Sequence, residues 1–357
     1  MSLRVPVARL GDALPLMADV VLRPDFPEVE LERLRTEALT ALLQARDQPR
    51  SIASRALAEA VFGRESRYGR PQTGDAASLT ALTVADLRAF HDTHYGPAQA
   101  TLVVVGDVTA EVLPALETAF GGWAGPERAT PAAETGRPPQ VRERSVRLVD
   151  KPGAAQSAIR LGRVGPSWDD PRYHAGEVMN TLLGGSFTSR LNDNLREQHG
   201  YTYGAGSVLR RYRVGGLFLA GADVQTDKTA EAVLEFLKEL ERIRTPATPE
   251  EVERARNYAA LGYAGEFETT SQVARRLVEG VVYDLPDAFF EEFVPKALAV
   301  DAPALQAAAR ASVDPEGIVI VVVGDRPKIE APLRALELGA LEILTVEDVM
   351  GPAPSVE

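Results

Sequence analysis

The stretch SFTSRLNDNLREQHGYTYGAGS, Ser186 to Ser207, gathers Arg, Glu, Gln, His and two Tyr around glycines. A surface loop does not need that mixture, and a core segment would not tolerate it. A helix through Ser189–Gln198 sets Arg190 and Asn194 at i, i+4 spacing and turns Leu191 and Leu195 inward. Gly200 then breaks the helix, and the alternation that follows predicts a strand. Arg196 and Tyr201 would flank this helix-to-strand corner, where both can converge on a bound backbone. A guanidinium is a pure donor and a phenol can donate, so the pair could hold or polarise a carbonyl oxygen. The same residues could equally make a capped corner whose tyrosine packs with its hydroxyl in water. Residue chemistry weighs the two evenly.

Other candidate sites are weaker. His91 and His94 form H-x-x-H, but no Glu stands between them as a zincin requires, and His near a helix end also complements the helix dipole. His174 and Glu177 begin an H-x-x-E pattern that Val178 ends without a second His, as expected for a solvated helix face. The glycines of LLGGS and GAG match neither a P-loop nor a dinucleotide fingerprint. There is no G-x-S-x-G elbow, and four His leave little material for a serine triad. With no Cys, disulfides, thiolate zinc sites and Cys nucleophiles are excluded together.

The elements that would position the corner belong to a repeat. TLVVVGDV at 101–108 recurs as VIVVVGDR at 319–326, and PEVELERLR at 27–35 recurs as PEEVERAR at 249–256. The period is about 220 residues, which suits a duplicated domain rather than a solenoid. The Pro-rich stretch from Gly125 to Gln140 reads as the connection between copies. Within a copy, short strands alternate with longer helices. Thr248, Pro249 and Glu251 form a capping box that opens one helix, with Pro27 and Glu28 as its counterpart. VVVGD, apolar on both faces, predicts a central strand in each copy. The expected architecture is α+β, with an incomplete first half over 1–124, a linker over 125–144, a complete second half over 145–350 and a tail over 351–357. Met1 aligns with a point deep in the second copy, near Ala222, so the first copy is expected to lack its front, about 75 residues by the repeat arithmetic.

These features resemble the insulinase/pitrilysin-type zinc metallopeptidases, the group that includes mitochondrial processing peptidase. The resemblance rests on SRLNDNLREQHGYTYGAGS, on YGRPQTGDAASLTALTVADLRAFHDTHYGPAQATLVVVGDV and on the duplication, and it covers almost the whole chain. It implies two homologous α/β-sandwich halves closing around a peptide. It also implies an H-x-x-E-H zinc motif with a third Glu ligand in the first half, and an Arg and a Tyr in the second half that bind substrate. Arg196 and Tyr201 match the latter positions. H-x-x-E-H is absent, and Glu32 alone falls near the third-ligand position. An isolated Glu cannot retain zinc, which takes three protein ligands in a catalytic site. The resemblance therefore points to the non-catalytic partners within the family. Such a chain has no catalytic residues and no cofactor of its own, zinc being expected in a catalytic partner or in a missing front segment. It would bind a peptide or unfolded polypeptide, as a homodimer or with a zinc-bearing homologue. A front-truncated active peptidase and a non-enzymatic core-protein-like scaffold are the alternatives.

Composition sets the outer bounds. The chain has 357 residues, 45% hydrophobic and 25% charged, which suits a globular protein of two domains. A net charge of −12, spread along the chain, argues against a nucleic-acid partner. There is no apolar run of membrane-spanning length and no signal-peptide pattern at the start given, so a cytoplasmic location is the default expectation, with a periplasmic or secreted one the alternative if the true N-terminus lies upstream.

Overall fold

A computed structural model describes residues 1–125 and 136–355. The expected linker over 125–144 therefore lies partly outside the described residues. Its later part is not a free tether: Pro138 is buried beside Gly215, and Arg163 donates to Gln140 at 3.1 Å. In chain order the helices are α1 (Leu10–Leu22), α2 (Glu28–Ala45), α3 (Pro49–Phe62), α4 (Ala76–Ala81), α5 (Val84–His94) and α6 (Val112–Phe120). Strands β1 (Ser145–Asp150) and β2 (Gln156–Gly165) follow, then α7 (Tyr173–Asn180), α8 (Arg190–Asn192), β3 (Thr202–Arg211) and β4 (Gly216–Gln225). The chain continues through α9 (Thr229–Arg242), α10 (Pro249–Tyr263), α11 (Thr270–Tyr283), α12 (Phe293–Leu298) and α13 (Ala302–Ser312). It closes with β5 (Val319–Gly324), α14 (Arg326–Arg334), β6 (Ala340–Thr345) and α15 (Val346–Met350). The contacts form two compact units that interleave in sequence. No described helix is long and apolar enough to cross a membrane.

The larger unit comprises Thr40–Ala76, Thr135–Gly265 and Pro286–Glu357. Its six-stranded sheet runs β3-β4-β2-β5-β1-β6, with β1 parallel to both β5 and β6 and the other pairs antiparallel. The period-two alternation of side chains assigns each strand to two cores. In β5, Ile320 and Val322 enter a core with helices α7, α9, α10 and α13, whereas Val319, Val321 and Val323 meet α3 on the opposite face. Both faces of the sheet are thus covered, and every residue of β5 is buried, as its unbroken apolar run predicts. α10 opens with the expected capping box of Thr248 and Glu251.

The smaller unit comprises Met1–Leu39, Ala77–Glu134 and Glu266–Leu285. Its described residues form helices and connecting segments but no strand. Thr101–Val105, predicted as the central strand of the first copy, is not one. A strand exists only through hydrogen bonds to its neighbours, and no described segment of this unit offers them. Burial is correspondingly sparse: Ala13, Leu14, Ala18, Leu31, Leu39 and Val112 are the buried apolar side chains among the described residues. α5 is tied to α1 by its partly buried His91, whose Nε2 lies 2.8 Å from the Val21 carbonyl oxygen.

Candidate functional site

The corner between Ser186 and Ser207 forms as predicted in outline and differs in its winding. α8 makes one α-turn, after which Asp193–Gln198 widens into a π-helical segment, a form often found at functional sites. Leu191 and Leu195 are fully buried, as expected. Arg190 and Asn194 are buried too, because they face α9 and α10 rather than solvent. Arg190 binds Glu251 with both ends of its fork, at 2.9 and 2.7 Å, and the same carboxylate accepts from the Thr248 amide at 3.0 Å. The hydrogen bonds from Arg190, above all, hold the Glu251 carboxyl below the usual carboxylate range. Asn194 donates to Glu235 at 2.8 Å and to Glu239 at 3.0 Å. A buried polar network therefore fixes the corner helix to the start of α10 and to the length of α9.

One glycine sets the turn into β3, and a second lets the preceding segment pack against that strand. Gly200 has φ +65°, the left-handed conformation that ends a helix at little steric cost. The amide of Tyr201 then closes on the Leu195 carbonyl at 2.9 Å, and Gln225 donates to the Gly200 carbonyl at 2.9 Å. Gly184, in LLGGS, allows close approach: a Cβ there would lie 2.2 Å from the Ser207 amide nitrogen of β3. Asn192 bridges the two sides, donating to the Phe187 carbonyl at 2.7 Å and accepting from the Ala205 amide at 3.2 Å. The glycines that read as a weak nucleotide motif serve backbone packing.

On this frame the Arg196 guanidinium lies over the Phe187 ring, 4.5 Å from its centroid, and its ion pair with the neighbouring Glu197 is loose at 3.4 Å. Phe187 is itself largely exposed. Tyr201 packs against the core and stacks on His199, with centroids 4.9 Å apart and an interplanar angle of 23°. His199 in turn sits 3.8 Å from Glu235. Tyr203, two residues on, is 93% exposed. Sequence reasoning passed over it. The signal was the alternation itself, since Tyr201 and Tyr203 fall beside a bulge in the β3–β4 pairing between Thr202 and Ala205 that re-aims the strand start.

The remaining candidates lie apart from this corner or face other neighbours. Glu32, on α2, pairs with Arg35 at 3.0 Å, and Arg35 also donates to the Leu79, Thr80 and Leu82 carbonyls. His94 lies beside Phe90, and His174 sits among Tyr173, Phe289 and Phe293. Burial lowers the His174 pKa, with Lys296 and Arg211 acting in the same direction and Glu292 opposing. Among the described residues, no three His, Asp or Glu side chains are grouped as a metal ion would require. The described residues do not fit a catalytic zinc.

Residues 81–258 match the family model described as the Peptidase M16 inactive domain. An uncharacterized zinc protease of Mycobacterium leprae is 33% identical over 204 residues, 55% of this chain and 44% of that protein. One from Bacillus subtilis is 26% identical over 234 residues, 64% of this chain and 55% of the relative. The solved M16 inactive domain from Pseudomonas fluorescens superposes with a TM-score of 0.81 at 25% identity, over 89% of this chain and 75% of that one. The chain belongs to the M16 peptidase family. A Helicobacter pylori protease shares the fold, with a TM-score of 0.83 at 20% identity over 90% of this chain and 78% of its own. This M16 chain spans about half the length of the curated relatives it matches, and its family model covers the corner described above.

Proposed function

We propose that this chain is the non-catalytic half of an M16 zinc metalloendopeptidase, which binds a peptide at the Ser186–Ser207 corner and completes the active site of a zinc-bearing homologue. The observation that carries the reading is Arg196: a guanidinium with one loose ion pair, propped on an exposed ring, on a helix end anchored by a buried network. Such a group is preorganised to donate to a carbonyl oxygen as negative charge develops there. Tyr201 is the phenol that the family resemblance assigns beside it. The core packing and stacking of Tyr201, set against the exposure of Tyr203, favour Tyr203 as a second candidate for the same role.

The test is peptide turnover by the chain assembled with a catalytic M16 subunit. Arg196→Ala is expected to lower kcat by about tenfold to a thousandfold, the scale of losing one oxyanion donor. Tyr201→Phe and Tyr203→Phe each remove only a hydroxyl, and one of them should fall in the same range. Melting temperatures should change little for Arg196→Ala and Tyr203→Phe, whose side chains lie at the surface. Parental turnover in all three assembled variants would discard the clamp and leave the scaffold alternative.

A further inference from the structure

One carboxylate fastens the Arg196 turn from both sides. Glu235, on α9, accepts from the Asn194 side chain at 2.8 Å and lies 3.8 Å from His199 Nε2. Asn194 stands before Arg196 in the chain and His199 after it. Around an α-helix, residues at i and i+5 point about 140° apart, toward different neighbours. The π-helical winding removes that offset. The His199 amide donates to the Asn194 carbonyl at 3.1 Å, an i→i+5 bond that brings the two residues to one side of the turn. Arg196 lies between them, with its guanidinium on the Phe187 ring rather than on α9.

The surroundings of Glu235 keep it charged in this place. Lys238 adds a contact at 2.9 Å from the exposed side of α9. Burial pushes the Glu235 carboxyl up, but donation by Lys238 and Asn194, with His199 nearby, holds it below the usual carboxylate range. Glu239 also accepts from Asn194, at 3.0 Å, but its other partner is Arg242 at 3.5 Å. Among the described residues, Glu235 is the one carboxylate that meets both Asn194 and His199. We propose that Glu235 is the positioning residue for Arg196. By gripping Asn194 before it and His199 after it, the carboxylate fixes where the guanidinium stands when a peptide carbonyl arrives. This rests on the reading of Arg196 as a substrate clamp, and adds the residue that aims it.

Two measurements separate the aim of Arg196 from its use. In the full chain alone, with isotope-labelled arginine, the Arg196 Nε–H resonance carries the ring-current shift of Phe187, which Phe187→Leu removes. Glu235→Ala should move that resonance toward its Phe187→Leu position, whereas Glu235→Gln, which still accepts from Asn194, should move it less. In the assembly with a catalytic M16 subunit, Glu235→Ala should lower kcat about tenfold and leave KM unchanged, because a misaimed donor is missed chiefly in the transition state. His199→Ala should do part of the same, and adding it to Glu235→Ala should cost nothing more, since both act through one contact. Lys238→Ala, which removes only the exposed partner of the carboxylate, should leave resonance and turnover parental. The His199 side chain is 34% exposed, so His199→Ala carries the test by itself if Glu235→Ala does not fold. An Arg196 resonance unmoved in both variants would overturn the proposal. So would a moved resonance with parental turnover, where Arg196→Ala itself slows the reaction. Parental turnover in Arg196→Ala is the separate failure of the clamp reading, and takes this proposal with it.

Discussion

Arg190 and Glu251 lie at the root of the corner, with side chains 6% and 14% exposed. A buried pair of this kind adds little against an apolar isostere, but breaking it leaves a charge without compensation. Glu251→Gln should therefore cost about 3–5 kcal/mol of stability, whereas the double change Arg190→Met with Glu251→Leu should cost much less. Urea denaturation of the three variants reads this directly, and equal losses would contradict it. The same residues show where sequence reasoning stopped. Spacing placed Arg190 and Asn194 on one helix face, but nothing local reveals that Glu235, Glu239 and Glu251 arrive there from elements further along the chain. Tyr201 and Tyr203 were likewise interchangeable as letters. Only the packing of one ring against His199 and the core separates them.

Among the elements, the outcome of a pattern depends on its neighbours. Val319–Gly324 and Thr101–Gly106 are nearly the same segment; the first is a buried central strand and the second is not a strand. Apolar alternation states what a segment can satisfy, and the presence of partners decides whether it does. Helices are less exposed to this uncertainty because they close their own hydrogen bonds, so the capping boxes at Thr83, Thr248, Thr269 and Thr345 mark true helix starts in both copies. The helix-to-strand turn depends on one backbone conformation. Gly200→Ala places a Cβ at φ +65°, and is expected to cost about 1 kcal/mol. Because the amide of Tyr201 closes the turn, chemical shifts from Leu195 to Thr202 should move with it. A neutral Gly200→Ala, with unmoved shifts, would show that the turn is not held by glycine.

For the molecule as a whole, the two compact units differ in how much they bury. The larger has apolar cores on both faces of a six-stranded sheet, and the smaller has a handful of buried side chains among its described residues. Stability is expected to be just as uneven. In native-state hydrogen exchange, β1, β2 and β5 should be the slowest amides, and α1, α5 and α6 should exchange at lower free energy through a separate opening. A single cooperative transition shared by all of them would refute this.

The sheet order also bears on how the protein is made. β5 sits between β2 and β1, so the sheet has no centre until Val319–Gly324 has been synthesised. Before then, the antiparallel group β2–β4–β3 and the lone β1 have no strand to join them. At cellular elongation rates, the interval between the emergence of Asp150 and that of Gly324 is roughly ten to thirty seconds. Throughout that time the nascent chain carries an unfilled slot the width of one strand. Any ribosome that stalls between Gln225 and Val319 releases a chain whose edges of β1 and β2 are open to a stranger's strand.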